Sequence, residues 1–180
     1  MTVLAIVALV VVFAAVMVFN TMIGRKNGVA FAFSAIDAML KKRYDLIPNL
    51  VATCERYMGH EQSVLQAVTE ARARAIQSAD DERVRQEAGF AGQLKSVFAV
   101  AEGYPELKAS ESFMHLQRAI TEVEEQIAAA RRAYNAAVLA YNNACEMVPT
   151  NVAAKLMGYG LKPMFAIDEA EAEPVKVWRE

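Results

Sequence analysis

The chain has 180 residues, with 19 Lys and Arg against 21 Asp and Glu, a net charge of −2 at pH 7. That balance excludes a strong global field of the kind that draws in nucleic acid or acidic substrates. Only eight Gly, five Pro and two Cys accompany abundant Ala, Glu, Arg and Leu, a composition that favours helices, and no run of alternating β-branched residues suggests a sheet.

Thr2 to Phe19 (TVLAIVALVVVFAAVMVF) contains no charged residue. Extended to Ile23, the run gives a helix of roughly 33 Å, against a hydrocarbon core of about 30 Å. A signal peptide would place basic residues before the apolar core and a small-residue cleavage site after it, and neither is found. A core helix with a solvent face would not stay apolar for so long. Residues 1–24 are therefore expected to be a transmembrane anchor. Arg25 and Lys26 follow it directly and mark the membrane interface. Positive charge is retained on the cytoplasmic side, so the N-terminus is expected outside and the remaining chain in the cytosol.

An apolar seam starts just past the anchor: Val29, Phe33, Ile36, Leu40, Arg43, Ile47, Leu50, Cys54 and Tyr57. Only Gly28 interrupts the stretch, so the membrane helix is expected to continue as one rod, bent near Tyr44–Asp45 by Pro48. The pattern resumes with Val64, Val68, Ala71 and Ala75. A polar turn at 77–81 precedes a third helix, N-capped by Asp80 or Asp81, with Val84, Ala88, Ala91, Leu94, Phe98 and Ala101 on one face. Gly103-Tyr104-Pro105 closes it, and Tyr104 reads as a packed side chain at a helix stop. From Phe113 a heptad seam runs through Leu116, Ile120, Val123, Ile127, Ala130, Tyr134, Ala137, Tyr141 and Ala144 to Val148, with Ser110 as N-cap and Pro149 ending the run. A short amphipathic piece spans Val152 to Met157, and an acidic tail occupies 166–180. The expectation is an all-α fold: a membrane helix continuing into an antiparallel, four-helix-type bundle over 25–165.

Arg43 occupies a seam position where an apolar residue is expected. A buried guanidinium needs carboxylates, or its desolvation costs several kcal/mol. Glu124 and Glu125 flank the seam of the long helix and Tyr134 lies on it, so Arg43 is expected to pair with one of them across the bundle. The alternative is that it snorkels to solvent at a thin edge. Lys41 and Lys42 lie about 24 Å along the rod from Arg25, beyond a Debye length of about 8 Å, and so are not expected to reach lipid headgroups.

His60-Glu61 begins like H-E-x-x-H, but position 64 is Val and the second ligand is missing; His115 stands alone. Neither a glycine-rich phosphate loop nor a nucleophile elbow occurs. No catalytic residue, metal or cofactor is expected. Cys54 and Cys145 form no C-x-x-C and sit at core-like positions, so they read as reduced structural thiols rather than a disulfide.

The stretch from Asp37 to Val51 (DAMLKKRYDLIPNLV), followed by Tyr57 and His60-Glu61, resembles the signature of LemA-family proteins. So do Tyr104 to Phe113 (YPELKASESF), Ala130-Arg-Arg-Ala-Tyr-Asn135 and Tyr141-Asn142 with Pro149 beyond. Asp37 and Tyr104 become interaction candidates through this resemblance. It implies a single-pass bacterial inner-membrane protein with a cytoplasmic helical domain. Members are discussed with membrane stress and a membrane-bound zinc protease, and a magnetosome relative acts in membrane biogenesis; no catalytic residue is carried over. Together, the long seams and near-neutral soluble part lead to an expected homo-oligomeric membrane scaffold. The alternative is an adaptor or regulator of a membrane protease or envelope-stress system. The expected partners are the bilayer, further copies of the chain and a membrane protein, but not nucleic acid.

Overall fold

A computed structural model describes residues 1–59 and 61–165. Among the described residues there are six helices and no strand: α1 (Thr2–Glu55), α2 (Gln62–Gln77), α3 (Asp80–Ala101), α4 (Pro105–Ala109), α5 (Glu111–Glu146) and α6 (Thr150–Leu156). His60 and the acidic tail at 166–180 lie outside the described residues.

α1 is one unbroken helix of 54 residues that passes through Pro48. At 1.5 Å per residue it is about 81 Å long. The other described residues do not bury its apolar N-terminal part. Its other end is buried along Val29, Ile36, Leu40, Arg43, Ile47, Leu50 and Cys54. Phe33 is half-buried, whereas Tyr57 is 38% exposed, because α1 ends at Glu55 and the chain turns away.

α5 runs antiparallel to α1: Arg43 meets Glu124, Phe33 meets Tyr134, and Thr21 and Arg25 lie beside Asn143 and Met147. α2 folds back along α1 so that Arg72 reaches Tyr44. α3 then follows the direction of α1, with Arg83 at Asp37 and Glu87 at Arg43. α6 packs against both α5 and α1 near the end of the anchor. The core is contiguous through these contacts and begins inside the apolar run, where Val18 and Phe19 pack against it and Met22 is fully buried.

The third helix differs in its buried face. Val84, Leu94 and Ala101 are buried as expected from spacing, but the remaining core positions are Glu87, Phe90 and Val97, not Ala88 and Ala91. The reason is chemical: Glu87 carries a charge that α1 neutralises, so the face can rotate toward larger side chains. Neither Asp80 nor Asp81 caps α3; Ala79 holds that position, and Asp80, Asp81 and Glu82 form the first turn, where negative charge suits the helix dipole. Ser110 occupies the N-cap of α5 without a side-chain cap bond. Val148 lies past the end of α5 and is exposed rather than on its seam, while Val138 joins the core instead.

Candidate functional site

The charged residues buried between α1, α3 and α5 form one network around Arg43, whose side chain is fully enclosed. Nη1 of Arg43 donates to Oε1 of Glu124 at 2.9 Å. Nη2 donates to Oε2 of Glu87, which is itself buried. The Tyr44 hydroxyl donates to the other Glu87 oxygen. Arg131 of α5 approaches Oε2 of Glu87 at 3.5 Å. Phe90 closes one side, with the Arg43 guanidinium carbon 4.4 Å from its ring centroid and the Tyr44 ring edge-on at 5.2 Å.

Two cations face two carboxylates, so the cluster is neutral overall. Burial disfavours charge on Arg43, but Glu87 and Glu124 outweigh it and its pKa stands above the ordinary arginine value. Burial also raises the Tyr44 pKa, and the Glu87 carboxylate raises it further, so the phenol remains a donor at any physiological pH. Nε of Arg43 and Nε of Arg131 are buried without an acceptor.

A network of this kind joins helices rather than holding a substrate. Its donors and acceptors are directed at one another, and removing one partner strands a charge in a low dielectric. Glu124, about one-third exposed, is the edge of the cluster, and Glu125 is exposed and outside it. Tyr134 is buried elsewhere, edge-on to Phe33 and Phe165, with its hydroxyl 3.4 Å from the Pro163 carbonyl. Asp37 pairs with Arg83 at the partly exposed α1–α3 edge. Tyr104 is half-buried against the core. Arg25 is exposed, and Lys26 lies 5.2 Å over the Tyr159 ring.

Tyr44, Glu87 and Arg131 are the network residues that the sequence reading did not single out. The signal for Glu87 was available: stepping three residues from Val84 reaches Glu87 and then Phe90, and a carboxylate on that face complements an arginine on the seam of α1. Arg131 gave no comparable signal, because it lies beside rather than on the seam of α5.

An apolar helix of membrane length continuing into a helical domain locked by buried charge defines a single-anchor, membrane-associated helical protein. The chain belongs to the LemA family, which it matches over residues 32–178, and family membership places it among non-enzymatic proteins. It is also similar to magnetosome protein MamQ 2 of Paramagnetospirillum magneticum, with 23% identity covering 87% of this chain and 68% of the relative. Magnetosome protein MamQ of Magnetospirillum gryphiswaldense is 22% identical over 70% of this chain and 56% of its own length.

Proposed function

We propose that this protein is a non-enzymatic scaffold that self-assembles at the bacterial inner membrane, with the N-terminus outside and residues 25–165 forming a four-helix bundle on the cytoplasmic side. The carrying observation is Phe31. It is 80% exposed on α1 although it lies beyond the apolar run, about 18 Å along the axis from Phe19. Lipid tails do not cover it there, and its own bundle does not either. Leu139 of α5 is also half-exposed, which adds apolar area available to a neighbouring copy. Side-by-side packing of rods would bury such faces.

Roles follow for the charged residues. Arg43, Glu87 and Glu124 fix the relative register of α1, α3 and α5, so that each copy presents the same outer face. Asp37 and Tyr104 hold the ends of α3 in place. Arg25 and Lys26 contact anionic headgroups. The MamQ relatives, named as magnetosome proteins, support a role at membranes without specifying a partner.

Cross-linking in native membranes followed by mass spectrometry tests the reading. Links joining the region of Phe31 to another copy of the chain are expected. Links from that region to a different membrane protein, such as a protease, at fixed stoichiometry and without self-links would instead make this an adaptor.

A further inference from the structure

The membrane-facing end of the domain carries apolar side chains that neither the core nor the anchor covers. Met147 and Val148 follow α5 and line a cleft with Thr21, Arg25 and Asn143, which sets them level with the end of the apolar run. α6 follows immediately. Ala153 and Ala154 face the core, while Val152 and Leu156 stand 58% and 74% exposed; Val148 is 80% exposed. Val152 and Leu156 stand four residues apart on α6 and so share one face, with the exposed Val148 just ahead of the helix.

The depth of this surface follows from the anchor. A hydrocarbon core of about 30 Å starting near Thr2 ends about 20 residues later. Thr21 and Arg25 therefore lie at the headgroups, and so do Met147 and Val148 beside them. The polar groups around the surface fit that depth: Arg25, Lys26 and Lys155 are exposed cations, and Tyr159 lies under Lys26. Basic and tyrosyl side chains flanking an apolar stripe match the interface between anionic headgroups and acyl chains.

The geometry points to a second membrane contact: the surface formed by Met147, Val148, Val152 and Leu156 sits in the headgroup–acyl boundary of the leaflet from which α1 emerges. The occupant is lipid because the surface is continuous with the anchor. A single helix can tilt in the bilayer, and a domain built on its unbroken continuation tilts with it. A lateral apolar foot fixes the angle at which the bundle stands, whether or not copies assemble and on whichever side they lie.

The test uses the full chain at one copy per nanodisc, so that self-assembly does not enter. In a Trp178→Phe background, which removes the sole tryptophan, Leu156→Trp and Ile76→Trp each provide a single probe. Ile76 is also exposed, but it lies on α2 beside Lys41, far along the rod. Lipids brominated near the headgroup should quench most of the Leu156→Trp emission and leave Ile76→Trp unchanged, with helical circular dichroism preserved in both. Equal, weak quenching at the two positions would overturn the proposal. So would a Leu156→Trp emission shifted to the blue but insensitive to bromine, which would place protein rather than lipid on this surface.

Discussion

Arg72 of α2 donates its Nε hydrogen to the Tyr44 carbonyl at 2.7 Å, the carbonyl that Pro48 leaves without a helical partner. Proline at position 48 has no N–H to give four residues back, which is why α1 was expected to bend there. The guanidinium from the neighbouring helix supplies the missing bond, and the rod continues to Glu55. Arg72→Ala should destabilise the domain by about 1–3 kcal/mol, the cost of a stranded buried carbonyl. In a Pro48→Ala background the same change should cost less, since an alanine N–H restores the helical bond. Urea unfolding of the four proteins in one detergent measures this coupling; equal costs in both backgrounds would show that Arg72 acts elsewhere.

The buried network makes a graded prediction. Glu87→Ala leaves Arg43 buried with a single partner at the edge of the cluster, and should cost about 3–5 kcal/mol. Glu124→Ala should cost clearly less, because that carboxylate is about one-third exposed and water can replace it. Asp37→Ala, at the partly exposed Arg83 pair, should change stability by no more than about 1 kcal/mol. Replacing Arg43 and Glu87 together by Met and Leu should recover much of the loss, as buried ion pairs often yield to apolar residues of similar volume. Chemical denaturation midpoints at constant slope report the order.

Alkaline pH should weaken the fold, with a defined sign. Burial pushes the Cys54 thiol from 9.0 up to about 11. Below pH 9 the thiol is protonated in both folded and unfolded chains and stability is unaffected. Above it the unfolded thiol ionises first, so stability falls until the folded thiol titrates as well. Burial, first among the causes, likewise raises Tyr134 and Tyr141 from 10.0 to about 12, extending the loss upward. Cys54→Ala should flatten the decline between pH 9 and 11 in thermal melts. At pH 8 the half-buried Cys145 should react with a disulfide reagent well before the buried Cys54.

Much of the fold was legible because it rests on spacing. The seam from Val29 to Cys54 and that from Phe113 to Ala144 name most of the buried residues of α1 and α5, since a long helix with one covered face repeats at heptad intervals. The face of α3 was not legible for the same reason in reverse: spacing of apolar residues alone does not pick out Glu87, whose burial depends on Arg43 in another helix. The position of Arg43 on an apolar seam could be read, but not the set of groups around it. Val148 was drawn onto the seam of α5 because spacing alone does not mark where that helix stops. The surface of α6 was visible only as a short amphipathic piece; its level beside Thr21 and Arg25 needed the tertiary structure.

Copies of the chain are proposed to assemble through the outer face of α1. Mass photometry of the full-length protein in native-lipid nanodiscs, wild type beside Phe31→Glu, addresses this assembly directly. Multimers are expected for the wild type and single copies for Phe31→Glu, with unchanged circular dichroism. A wild type that is a monodisperse monomer, or a charged variant that assembles equally well, would contradict it.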